Sequence, residues 1–306
     1  MRAYLLRRLW QSAVTLVGVS ILVFVILRVV PGDPAKMLLP EGAPPSAVEE
    51  LNRHLGLREP LWVQYEIFLR SVVRGDFGQS FQYRAPALRV VIERVPATIA
   101  LAVAAMALTV VVGVSLGVLT AVRQGTPWDY GGTVLAVLGQ SLPNFWLGIM
   151  LVLLFGVTLR WLPTSGFGGW ASLVLPSVTL AAFPTALVAR LTRASLLEIL
   201  GQEYIRTGRA KGLGERRVVL RHALRNATIP LLTVLGLQIG TLLGGAVITE
   251  SIFAWPGMGK LVVDAIFFRD FPVVQTILIL SATIFVVINL LVDLLYTILD
   301  PRIRYG

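Results

Sequence analysis

The residues from Glu203 to Asn226, EYIRTGRAKGLGERRVVLRHALRN, set the cations Arg206, Arg209, Lys211, Arg216, Arg217, Arg221 and Arg225 against only two carboxylates, Glu203 and Glu215. Positive charge at this density attracts anions, and the two to weigh are nucleic acid and membrane lipid head groups. Nucleic acid is set aside, because no basic groove interleaved with aromatics lies outside the apolar runs. Gly208, Gly212 and Gly214 punctuate the stretch. Glycine beside a helical pattern marks a place where a helix ends and turns.

A second stretch, AWPGMGKL from Ala254 to Leu261, imitates a nucleotide-binding loop. Such a loop reads G-x-x-x-x-G-K followed by Ser or Thr, whose hydroxyl holds the metal of the nucleotide. Gly259 and Lys260 fit, but Ala254 stands in place of the first glycine and Leu261 in place of the hydroxyl. No nucleotide chemistry is expected of this chain. Cysteine is absent, and the two histidines, His54 and His222, are far apart in sequence, so neither a thiolate nor a histidine cluster is available for catalysis or metal. G-x-S-x-G and H-E-x-x-H are absent, and no Ser–His or Asp–Asp pair lies within the apolar runs. The expectation is a chain that is not an enzyme and binds no cofactor.

Uncharged polar residues inside apolar runs are the remaining candidates. Gln140, Ser141, Pro143 and Asn144 cluster in one run, and Gln238 sits in another near GTLLGG. One reading is hydrogen bonding between helices with small-residue packing. The other is a polar lining for a transient pathway, carried by Gln140, Ser141, Asn144 and Gln238.

The elements that hold these residues follow from composition. The chain has 306 residues, 56% hydrophobic and 14% charged, with a net charge of +10. Soluble domains carry about 25% charged residues. Six runs meet the length of about 20 apolar residues that a bilayer demands: 9–27, 95–122, 131–159, 161–189, 226–249 and 271–292. The first is too long for a signal peptide and has no small-residue cleavage site after it. Short loops carrying Arg2, Arg7 and Arg8, then Arg123, then the basic stretch, then Arg302 and Arg304 fall on one side when the runs alternate. That side is the cytoplasm by the positive-inside rule, with both termini in it.

The segment 31–94 is then external; its eight basic and eight acidic residues cancel. A capping box from Ser46 to Glu49, a helix after Pro60 with Leu61, Tyr65, Phe68 and Val72 on one face, a turn in RGDFGQSF and a short helix in PALRVVIERVP are expected there. The central parts of the runs hold no ionisable residue, which weighs against proton relays and charged ion paths. The basic stretch itself predicts a helix, a tight turn at Gly212–Gly214 and a second helix with Val219 and Ala223 on one face.

EYIRTGRAKGLGERRVVLRHALRNATIP resembles the cytoplasmic coupling loop of permease subunits in ATP-binding-cassette importers, within them the dipeptide, oligopeptide and nickel branch. RRLWQSAVTLVGVSILVFVILRVVPGDP is similar to that branch's first helix, HLGLREPLWVQYEIFLRSVVRGDFGQSF to its external segment, and ESIFAWPGMGKLVVDAIFFRDFPVVQ with LYTILDPRIRYG to its last loop and end.

The resemblance implies an all-α polytopic membrane protein of the type I importer permease fold. It would have six transmembrane helices and a small helical extracytoplasmic segment, divided as 1–30, 31–94 and a permease core 95–306 that includes a coupling loop 190–226. It also implies a coupling helix docked on an ATPase subunit through Glu203, Tyr204, Arg206, Thr207, Gly208, Ala210, Lys211, Gly212 and Gly214, Gly212 foremost. The implied partners are a homologous second permease, two ATPase subunits that bind ATP and Mg, an extracytoplasmic solute-binding protein and membrane lipid. The implied setting is a bacterial or archaeal cytoplasmic (inner) membrane, and the implied cargo is di- or oligopeptides, glutathione included. Import of a nickel chelate or other small solute is the same-branch alternative. A stand-alone ion-coupled carrier is the alternative of another class.

Overall fold

A computed structural model describes residues 2–29 and 59–299 with the single positions 44, 46 and 49. Most of the expected external segment up to residue 58, with His54 and the interior of the expected capping box, lies outside the described residues, as do residues 300–306. The described residues form helices and one isolated bridge, Gln79 with Pro86.

Two compact units share the chain, Met1–Pro96 with Lys260–Leu290, and Ala97–Gly259 with Leu291–Gly306. In the first, α1 (Arg2–Val29) packs on α2 (Leu61–Arg74), which Pro60 precedes. Phe24 of α1 meets the rings of Tyr65 and Phe68, two residues of the expected face, while Leu61, expected on the same face, is exposed. A turn leads to α3 (Ala87–Ile92). Asp270, between α12 (Met258–Phe267) and α13 (Phe271–Leu299), is buried and accepts hydrogen bonds from the Ser80 hydroxyl and the Gln82 amide.

The second unit is built around α8 (Trp170–Leu200). Against it lie α4 (Val95–Leu108), a π-helical turn at Thr109–Gly113, α5 (Val114–Val122), α6 (Pro127–Ser141), α7 (Asn144–Leu151) and α11 (Leu224–Ile252). Small residues let the backbones close: a Cβ on Gly117 would lie 2.6 Å from the Ala189 carbonyl of α8. One apolar cluster, with Leu101, Leu180, Leu242 and Trp255, fills the far end. Another, with Ala121, Leu196, Ile205, Val218 and Ala223, fills the end that carries the basic stretch.

Among the described residues, four helical stretches are long and apolar enough to cross a bilayer: Leu6–Ile26, Ala87–Val122, Trp170–Leu200 and Phe271–Leu294. α6 and Asn144–Thr158 are apolar enough together but are bent by 107° to each other, the geometry of a broken span or of a re-entrant loop. α11, at 29 residues, is about 44 Å long and stands at the fifth expected position, the run 226–249.

Several expected runs differ from the helices at their ends or inside. Run 131–159 is broken, because Pro143 forces Leu142 out of the helical region, to ψ 128. The run expected at 161–189 begins helical only at Trp170, after a loop in which Gly166 and Gly169 take positive φ, and α8 then continues past 189 to Leu200 through Pro176 and Pro184. α11 passes residue 249 to Ile252.

Candidate functional site

The basic stretch folds as expected, helix then turn then helix, and its seating is specific. α9 (Glu203–Ala210) is amphipathic: Ile205 is 1% exposed and enters the apolar cluster beside Leu196 of α8 and Ala121 of α5. Gly208, one turn on, stands against Leu213. The remaining face, Glu203, Tyr204, Arg206, Thr207, Ala210 and Lys211, is exposed. Arg206 pairs with Glu203 at 3.0 Å, and Asn226 donates to the Tyr204 hydroxyl at 2.7 Å, tying α9 to the start of α11.

The turn is a paired main-chain closure. Leu213 N–H donates to the Gly208 carbonyl and Gly212 N–H to the Arg209 carbonyl. Gly212 holds φ 81°, the left-handed conformation this closure requires and a side chain resists. Gly214 has an ordinary φ of −63° and starts α10 (Glu215–Arg217), which continues as a π-helical turn at Val218–Ala223. Val219 and Ala223, expected on one face, are both buried, while Leu220 is exposed.

Across this turn the Arg209 guanidinium grips Glu215 with two hydrogen bonds. The bond from Arg209 holds the Glu215 carboxyl below the usual glutamate value and raises Arg209 in turn.

α9 is joined to α8 by only Gly201 and Gln202. α8 carries two arginines one turn apart with different partners. Arg193 forms a bidentate pair with Asp129 of α6 at 2.7 and 2.8 Å, and Asp129 also accepts the Gly125 amide. Arg190 donates to Gln140.

Of the residues expected to line a pathway, Gln140, Ser141 and Asn144 flank the break between α6 and α7. Ser141 is exposed and bonds back to the Val137 carbonyl, whereas Gln140 and Asn144 are half-buried. Gln238 stands apart on α11, 7% exposed.

Sequence reasoning missed the charged residues at the helix margins. Each expected run stopped short of a charge that the helix includes: Asp129 in α6, Arg190 and Arg193 in α8, Glu250 in α11. Glu250 is fully buried. The Thr98 hydroxyl donates to it and itself accepts the Met258 amide, while Trp255 Nε1 donates to the Ala97 carbonyl. A Cβ on Gly257 would sit 2.2 Å from the Glu250 carboxylate. The imitation phosphate loop is thus folded onto a carboxylate of its own chain. Glu250 followed by P-G-x-G was the signal available for it.

Residues 113–305 match the family described as binding-protein-dependent transport system inner membrane component, and residues 1–102 match the N-terminal part of the same membrane component. The chain is 42% identical over 333 residues to the dipeptide transport system permease protein DppB of Alkalihalophilus pseudofirmus, covering all of both chains. It is 40% identical to the dipeptide transport system permease protein DppB of Escherichia coli strain K12, covering all of this chain and 99% of the relative. Among solved structures, an inward-facing form of the MetNI methionine ABC transporter matches with TM-score 0.59 and 20% identity over 69% of this chain and 96% of that one. An amino acid ABC transporter solved with histidines matches with TM-score 0.51 and 16% identity, over 70% and 94%. The two structural matches bear on the fold alone.

Proposed function

Because the chain belongs to the family of binding-protein-dependent transport system inner membrane components, we propose that it is the membrane-spanning permease subunit of an ATP-driven importer of di- and oligopeptides. The observation that carries this reading is full-length identity to dipeptide transport permeases, with α9 presented on an anchored frame.

The geometry suits a transmitter of motion. Ile205 fixes α9 to the ends of α5 and α8, so a push on its free face moves both. α8 then runs 31 residues, about 46 Å, to the far end of the unit. Arg193–Asp129 and Arg190–Gln140 carry the same displacement to α6 and its break.

In this reading an ATPase subunit engages Glu203, Tyr204, Arg206, Thr207, Ala210 and Lys211, with Gly208, Gly212 and Gly214 shaping the surface. ATP and Mg are bound by that subunit and its copy. A second, homologous permease completes the path, and a solute-binding protein delivers peptide on the side opposite α9. Both termini and α9 lie in the cytoplasm, as the arginine distribution favours. Gln140, Ser141 and Asn144 contact the passing solute.

The test is reconstitution of the four-component membrane complex in vesicles with its binding protein. Labelled dipeptide accumulates only with ATP in the compartment that α9 faces. Accumulation without ATP, or of no peptide while another solute is taken up, overturns the reading.

A further inference from the structure

We propose that α2 is an interfacial helix whose flank of Leu69, Trp62 and Val73 is seated in lipid where α1 leaves the bilayer. With about 100° between successive residues, Phe68, Val72 and Tyr65 occupy one arc of α2, facing α1. Leu69, Trp62 and Val73 occupy the neighbouring arc, and Glu66, Arg70 and Arg74 the arc beyond, interrupted by Val63 and Ile67. Trp62 is 71% and Val73 80% exposed. Large apolar side chains left open beside a charged face are the pattern of a helix lying in a membrane surface.

Depth identifies the occupant as lipid. The apolar span of α1 ends at Ile26. The Tyr65 hydroxyl bonds the buried Ser20 hydroxyl at 2.8 Å, six residues and about 9 Å inside that end. One turn outward Phe24 packs on Tyr65 and Phe68, and a further turn outward Arg28 donates to Gln64 at 2.8 Å. α2 therefore lies against the last two turns of the span, where acyl chains give way to head groups. α1 exposes Leu22, Val25 and Ile26 at the same level, so the lipid that covers α1 continues onto α2. A tryptophan on the lipid flank and arginines on the polar arc are the side chains that settle at this boundary. The lipid seat requires α1 to cross the bilayer and is independent of which solute is carried.

The chain has no cysteine, so single labelling sites are clean. Trp62→Cys, Val73→Cys and Arg70→Cys are each labelled with a nitroxide in the full chain, assembled in phosphatidylethanolamine–phosphatidylglycerol vesicles. Collision rates with oxygen, which partitions into lipid, and with a water-soluble nickel chelate are measured by electron paramagnetic resonance. The oxygen-to-nickel ratio is several-fold higher at positions 62 and 73 than at 70. Equal, water-like ratios at all three sites overturn the proposal. So does shielding of 62 and 73 from both reagents, whether before the binding protein is added (a protein subunit covers the flank) or only after it (the flank is its docking site).

Discussion

Arg209 and Glu215 clasp each other across a glycine turn, Nε to Oε2 at 3.1 Å and Nη2 to Oε1 at 2.6 Å. The pair braces two short helices that share few other side-chain bonds. An exposed ion pair adds little to global stability, but here it sets the angle at which α9 is offered to a partner.

Glu215→Gln loosens the turn at neutral pH. The Glu215 pKa is lowered in the folded chain, so the clasp is fully present above the ordinary glutamate value of about 4.3 and is lost as pH falls through the lowered value. Amide exchange at Gly212 and Leu213 is several-fold faster in the variant than in the wild type at pH 7, and the two converge only once pH has fallen through the lowered Glu215 value. Identical exchange at pH 7 contradicts the bracing role.

Gly212→Ala places a side chain at φ 81° with open space around it, so its cost is conformational, about 1–2 kcal/mol. Gly212→Pro fixes the wrong φ and also removes the donor to Arg209. Transport per ATP hydrolysed falls in both and further in the proline variant, while the chain still inserts in the membrane. Normal stoichiometry in Gly212→Pro removes α9 from the coupling path.

Ile205→Ala empties a buried site between α5, α8 and the turn after α10, at a cost of about 2–5 kcal/mol. ATP hydrolysis by the complex continues while uptake drops by an order of magnitude, because α9 has lost its grip on the bundle. Uptake that follows hydrolysis as in the wild type refutes this seating.

Thr98→Val leaves the Met258 amide and the Glu250 carboxylate without their shared hydroxyl, costing about 1–3 kcal/mol. Glu250→Gln keeps an acceptor for Thr98 and is milder. Gly257→Ala is the most severe, since its methyl has no room beside Glu250. Melting temperatures of the detergent-solubilised chain fall from Glu250→Gln through Thr98→Val to Gly257→Ala; Gly257→Ala melting with the wild type is the contrary result.

Asn144→Leu and Gln238→Leu separate by burial. Asn144 is half-buried at the break and its loss lowers peptide uptake more than assembly. Gln238 is closed inside the unit and already engaged, so its loss lowers assembly as well. Yield of purified complex against uptake per complex distinguishes the two.

Much of this was legible in the residues. Apolar length located every long helix, and glycine spacing located the turn at Gly212. Hydropathy failed at the margins, where it ends a helix at the first charge. α6, α8 and α11 run through Asp129, Arg193 and Glu250 because each finds a partner, and partners distant in sequence leave no local trace. The angle at Pro143 was foreshadowed by the proline but not its size, which tertiary packing decides.

The two extended residues at Leu142 and Pro143 have a solvation consequence. Proline offers no amide to the Gly139 carbonyl behind it, and the first amides of α7 have no preceding helical carbonyls to meet. Hydrocarbon cannot satisfy such groups, so a backbone interruption at mid-depth is tolerated only against protein or water. Whatever acyl chains wrap the rest of this chain, that corner must be turned away from them.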